Sequence, residues 1–260
     1  MDTVYALLLG IIQGITEWLP VSSSGHLAIA HKIMGTPPSP AFDIALHAGT
    51  LLSVAAVFWR DLLEMLKAAA RRSWKSPAGK TLVMIAIATA PGALLGLLFN
   101  DYIENLFSSV LFIGAALLVT AALLYIASGK KGTKDIGKRE AAIIGIAQAA
   151  ALAPGISRSG ATISAAMIYG VEKNKAAYFS ILLSVPITLG AAAFELRKAS
   201  LIELQPEATL VGIATSAVVG YVSIKILMKA VRNAKLQYFA YYCLLAGASC
   251  IAAAVFFNVR

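Results

Sequence analysis

Apolar positions along this chain come in long blocks, without the alternation of half-buried strands. Six runs are almost free of charge: roughly Ala41–Phe58, Thr81–Phe99, Leu106–Ala127, Ala176–Phe194, Ala208–Met228 and Tyr238–Phe257. Each is close to the ~20 residues that a helix needs to cross a bilayer, so the pattern predicts six transmembrane helices. Two further stretches, 3–35 and 140–171, read differently. Each is a pair of apolar pieces of about 10–14 residues, too short to span, flanking a break rich in Pro, Ser and Gly. Such pieces predict re-entrant hairpins, whose irregular backbone survives at membrane depth only against protein or a watery cavity.

The two hairpins are copies of one another. A shift of 135 lays IIQGITEWLPVSSSGHLAIAHKIMG (11–35) on IAQAAALAPGISRSGATISAAMIYG (146–170). Identities fall at Ile11/Ile146, Gln13/Gln148, Ser22/Ser157, Ser24/Ser159, Gly25/Gly160, Ala30/Ala165, Ile33/Ile168 and Gly35/Gly170. Three predicted spans, an odd number, separate the copies, which inverts the second relative to the first. The expected fold is an all-α polytopic membrane protein with six transmembrane helices and two re-entrant helical hairpins in an inverted-topology repeat. It forms one membrane domain over 1–260, with repeat 1 at about 1–128 and repeat 2 at about 138–257.

Composition sharpens this picture. Hydrophobic residues make up 59% of the 260, and the formal net charge is +9. That charge is not spread as a nucleic-acid-binding surface would be. Of 22 Lys and Arg, six lie in 60–80, five in 130–139, two at Lys173 and Lys175, and four in 225–235. The connector at 100–105 carries Asp101 and Glu104 and no base, and the connector near 196–207 is mixed. This is the positive bias of cytoplasmic loops, and it excludes a nucleic-acid partner. It also makes the first hairpin dip in from outside and the second from inside. No cleavable signal peptide is expected, because Glu17-Trp18 follows the first apolar piece without a basic segment before it or a cleavage site after it. Cys243 and Cys250 are two turns apart on one predicted helix, too far for a disulfide, and read as small packing residues.

The candidate chemistry sits at the two breaks. In QGITEWLPVSSSGH, Glu17 lies inside an apolar hairpin, where an unpaired carboxylate costs several kcal/mol. Gln13 is one turn earlier on the same face, so the two oxygens are a candidate cation site that phosphate and water would complete. Ser22, Ser23 and Ser24 follow Pro20 at the start of the next half-helix, and Gly25 allows close approach, an arrangement that favours phosphate. His26 beside them is a candidate acid, base or nucleophile, against the plainer reading of a packing histidine. In PGISRSGAT, Arg158 is the only base between Arg139 and Lys173, and the repeat sets it opposite Ser23. A lone Arg at this depth marks an anionic partner, and its fork suits phosphate. Ser157, Ser159, Gly160 and Thr162 add donors. The inventory fits phosphate or pyrophosphate carried by a lipid. His47 is balanced between pocket lining and packing, Asp43 reads as interfacial, the His31-Lys32 pair sits at a hairpin end, and Trp18, Trp59 and Trp74 suit membrane interfaces.

These motifs together resemble the undecaprenyl-diphosphate phosphatase family, also called the bacitracin-resistance protein family. GITEWLPVSSSGH, FDIALHAGT and PGISRSGATIS carry the resemblance over nearly the whole chain. It implies a plasma-membrane phosphatase that removes the terminal phosphate of undecaprenyl diphosphate, with Mg²⁺ or Ca²⁺ and a site open to the extracytoplasmic side. The product is the lipid carrier for peptidoglycan and other envelope polymers. By motif, Glu17 would be the essential carboxylate, Ser22, Ser23, Ser24 and His26 the serine–histidine element, and Ser157 and Arg158 the phosphate-binding element. Ser23, the family's usual proposed nucleophile, or a water in its place would attack, with His26 moving the proton. One departure is Gln13, where the family often has Glu, which weakens a two-carboxylate metal site. A second membrane phosphatase family with a Ser-Gly-His element needs Lys-x6-Arg-Pro and Arg-x5-His-x3-Asp motifs that are missing from this sequence. The rival from another class is a flippase or anion transporter using the inverted repeat for alternating access. Monomer and homodimer both remain open.

Overall fold

The structure is a computed structural model that describes residues 2–35, 39–195 and 204–256, apart from the side chains of Glu104 and Glu195. Phe257, the last position of the sixth apolar run, and most of the connector near 196–207 lie outside the described residues. The described chain is helical throughout: α1 (Thr3–Trp18), α2 (Ser23–Met34), α3 (Pro40–Ala70), α4 (Pro77–Leu106), α5 (Val110–Ser128), α6 (Lys138–Ala150), α7 (Arg158–Ile168), α8 (Lys173–Glu195), α9 (Pro206–Arg232) and α10 (Leu236–Phe256). No strand is formed among the described residues.

Six helices (α3, α4, α5, α8, α9 and α10) are long and apolar enough to cross a membrane. They fall on the six apolar runs with different bounds: α3 runs on past Phe58 to Ala70, α4 extends beyond its run at both ends, and one start is moved. Leu106, expected to open the third run, instead ends α4, and α5 begins only at Val110. The reason is local, because Ser109 accepts the Phe112 N–H and caps α5 at that point. The remaining helices are short: α1 and α2 have 16 and 12 residues, and their repeat mates α6 and α7 have 13 and 11.

Packing partners exchange between the halves. Helix α1 lies against α9, α6 lies against α4, and α5 and α10 pack on each other. Small residues permit these crossings. A Cβ on Gly14 of α1 would stand 2.9 Å from the Gly220 nitrogen of α9, and one on Gly247 of α10 would stand 2.8 Å from the Gly114 oxygen of α5. Removing the side chain lets backbones touch and fixes the helix register to within a residue. Leu117, Leu124, Ile144, Ile163, Leu183 and Leu227 are fully buried between the helices, while Leu97, Val218 and Leu245 stand exposed on the outer surface. That arrangement suits a hydrocarbon solvent.

Candidate active site

The first break is forced by Pro20. The residue before a proline is pushed out of the helical region, and Leu19 is extended at φ −65° and ψ 140°, which ends α1. Ser22 then takes φ 72° and ψ 93°, a left-handed conformation that costs a non-glycine residue about 1–3 kcal/mol. Several bonds hold it there. Its hydroxyl accepts the N–H of Gly25 at 3.4 Å and that of Gly155, from the other break, at 3.2 Å. Its carbonyl accepts the His26 N–H at 3.2 Å and faces His26 Nδ1 at 2.8 Å.

The second break is built on Gly155, at φ +96°. A Cβ there would also lie 2.5 Å from the Ile113 oxygen of α5, so only glycine fits. Thr120, also on α5, clamps this turn: its hydroxyl donates to the Gly155 carbonyl at 3.1 Å and accepts the Ser157 N–H at 3.0 Å. Ser157 caps α7 through the Gly160 N–H at 3.1 Å, as Ser22 caps α2. The two breaks touch back to back, since a Cβ on Gly25 would lie 3.3 Å from Gly155 Cα.

Helices α2 and α7 therefore start side by side, and their equivalent first residues, Ser23 and Arg158, reach the same carboxylate. The Glu17 side chain is 3% exposed. Arg158 Nη2 is ion-paired with its Oε1, and Nη1 donates to Thr188 Oγ1 at 3.0 Å and to the Ser184 carbonyl at 3.3 Å on α8. Ser23 Oγ donates to Glu17 Oε2 at 2.6 Å, and Gln13 Nε2 donates to the same oxygen at 3.2 Å. His47, on α3, has Nδ1 2.8 Å from Gln13 Nε2 and 3.7 Å from Glu17 Oε2. One buried anion is thus surrounded by a cation, a hydroxyl, an amide and an imidazole, and its desolvation is offset by those bonds.

The other expected site residues fall around this centre with different attachments. His26 does not face Ser23; the Ser22 carbonyl turns its ring away, and Nε2 meets the Tyr242 hydroxyl of α10 at 2.7 Å. The acceptor for the Ser23 proton in this geometry is Glu17. Ser24 Oγ is 3.4 Å from Ser22 Oγ, and Ser159 Oγ is 3.2 Å from Ser157 Oγ. Thr162 donates to the Arg158 carbonyl at 2.7 Å and meets Ser180 Oγ at 2.7 Å, so its hydroxyl is spent between α7 and α8. Trp18, expected at a membrane interface, is instead 2% exposed, with Nε1 3.1 Å from Ser53 Oγ. Its place directly after Glu17, against α3 and α9, overrides the interfacial preference of its ring. Trp59 and Trp74 are exposed, and Asp43 lies 3.4 Å from His31.

Sequence reading passed over Thr120, Thr188 and Tyr242. Each is a polar side chain inside an apolar run, which is a signal, but nothing in the run says what it faces. For a cation, no group of three or more His, Cys, Asp or Glu is assembled among the described residues. Gln13 Oε1 is, however, buried without a partner one turn from Glu17. That amide oxygen and the carboxylate are hard donors of the kind Mg²⁺ and Ca²⁺ take, and two of them suit an ion held jointly with phosphate oxygens.

Comparison with known proteins adds an independent line. The sequence model of the family described as "Bacitracin resistance protein BacA" matches residues 6–249. A protein of Korarchaeum cryptofilum named undecaprenyl-diphosphatase is 40% identical over 255 residues, covering 95% of this chain and 97% of its own. Proteins of the same name from Christiangramia forsetii and Geotalea daltonii are 40% and 42% identical; these matches cover 96% and 93% of this chain and 98% and 94% of theirs.

Proposed function

The chain belongs to the bacitracin resistance protein BacA family, and on that premise we propose how its buried carboxylate site performs the family's reaction. The protein is a multi-pass integral membrane hydrolase that converts undecaprenyl diphosphate to undecaprenyl phosphate and inorganic phosphate. It thereby recycles the carrier for cell-wall polymers and confers bacitracin resistance. In our reading α1–α2 and α6–α7 are re-entrant hairpins of an inverted repeat. Their short lengths and the exchanged packing of α1 on α9 and α6 on α4 support this. The basic loops at 60–80 and 130–139 then orient the first hairpin toward the extracytoplasmic side, where the diphosphate arrives.

The observation that carries the mechanism is the double engagement of Glu17 by Ser23 and Arg158. An incoming terminal phosphate competes for the Arg158 guanidinium, whose planar fork matches its oxygens. As Arg158 turns to the phosphate, Glu17 is released to take the Ser23 proton. Ser23 Oγ attacks the terminal phosphorus, the bond to the bridging oxygen breaks, and its electron pair leaves on the lipid phosphate, which recovers the proton. Water then attacks the phosphoserine; its hydroxyl stays on phosphorus and its proton returns to Ser23. Arg158 and the amides at the helix starts stabilise charge on the equatorial oxygens. A divalent cation would be held by Glu17 and Gln13 Oε1 together with the diphosphate, and it would supply neutralisation of the phosphate charge.

Phosphate release from lipid diphosphate by purified protein, without any gradient, tests this reading. Release should stop with EDTA and return with Mg²⁺ or Ca²⁺, and brief ³²P labelling should leave phosphate on Ser23. Lipid crossing vesicles without release would favour a flippase.

A further inference from the structure

Both clamps on the breaks come from one helix pair. Helix α5 holds the second break through Thr120, and α10 holds the first, where Cys243 Sγ lies 3.5 Å from the Pro20 carbonyl and Tyr242 meets His26. The Gly114–Gly247 crossing sets the register of both, because it leaves no slack along the α5–α10 seam. His26 is thereby fixed at both ring nitrogens. A carbonyl can only accept, so Nδ1, 2.8 Å from the Ser22 oxygen, carries the hydrogen. In the neutral ring Nε2 is then the lone-pair nitrogen, and it takes the Tyr242 O–H at 2.7 Å. The two rings stack as well, with centroids 5.7 Å apart and an interplanar angle of 16°. The hydroxyl thus selects a tautomer and a ring orientation at the residue three positions from Ser23.

We propose that Tyr242 is a positioning residue for the phosphatase reaction: by donating to Nε2 its hydroxyl fixes His26, whose Nδ1–H in turn holds the Ser22 carbonyl next to Ser23. This rests on the phosphatase reading. The tyrosine ring is itself half exposed, so the substrate's lipid-linked side can reach the same edge. Without the Tyr242 hydroxyl the imidazole keeps only its bond to the Ser22 carbonyl, and the turn that presents Ser23 to Glu17 is held less firmly. A His orienter of this kind acts on turnover, because it fixes geometry needed only as charge and protons move.

The test combines kinetics with a spectrum. Tyr242→Phe keeps the stacked ring and removes the hydroxyl. It should lower kcat about tenfold and leave KM within about twofold. Added to His26→Ala, it should cost nothing further, as expected for two residues acting as a unit. In histidine-¹⁵N-labelled protein in nanodiscs, the His26 Nε2 resonance, identified by its loss in His26→Ala, should move in Tyr242→Phe, while those of His31 and His47 stay in place. Wild-type-like kcat with an unmoved resonance would overturn the proposal. So would losses that multiply, or shifts of all three histidines, which would mark a general structural role. The spectrum decides the matter where His26→Ala has no measurable activity. Failure of the wild-type protein to release phosphate would instead strike the phosphatase reading and leave the His26 spectrum to decide the contact.

Discussion

At the first break the backbone turns through a left-handed serine, and at the second through a left-handed glycine. The glycine is there for space and freedom, and α5 closes on it directly. Ser22 takes a conformation that its side chain disfavours, and the bonds to Gly155, Gly25 and His26 keep it there. Strain and the candidate catalytic side chains coincide at the first break, which carries Glu17, Ser23 and His26. The second break is relaxed and brings a single charge. The same backbone plan has therefore been filled with different side chains: Ser23 corresponds to Arg158, and Glu17 to Leu152. The Leu152 side chain lies instead near Gly96 of α4. With leucine there, one anion serves one cation and one hydroxyl, so the two halves make one asymmetric site.

That comparison can be broken first at its charged link. Arg158→Ala should lower phosphate release about a thousandfold, as loss of a main charge-stabilising donor does. It should also destabilise the fold by about 3–5 kcal/mol, because Glu17 is left buried and unpaired. Next, Ser23 should differ from the serine that follows Arg158 at the other break. Ser23→Ala should cut kcat at least about a hundredfold with little change in KM, whereas Ser159→Ala should cost only a few-fold in the same assay. The smallest contrast is between the two caps. Ser157→Ala should lower thermal stability by about 1 kcal/mol, the usual worth of an N-cap. Ser22→Ala should cost more, about 2–3 kcal/mol, because the buried Gly155 N–H then loses its acceptor. Equal losses would mean that the two breaks carry equal load.

Most of the spans and the site's principal charges are legible in the sequence for one reason: in an apolar chain each polar residue is conspicuous. Glu17 and Arg158 stand out by charge alone, and the repeat sets Ser23 and Arg158 in register before any coordinates are known. What escapes is partnership through space. His26 and Tyr242 are 216 residues apart, and they meet only through the packing of α10 in the fold. The same holds for Thr188, which takes one arm of Arg158, and for Trp18, whose ring is drawn into the core by Ser53. The positive φ of Ser22 has no signature in the residue type, since serine ordinarily avoids it.

The central claim is that the two breaks share one buried ion pair, and a double-mutant cycle of Glu17→Gln and Arg158→Gln in unfolding free energy tests it most directly. If Glu17 and Arg158 are partners, the double variant should be more stable than the sum of the single losses predicts, by about 3 kcal/mol. Losses that simply add would mean that the two side chains do not meet, and the shared site would fall with them.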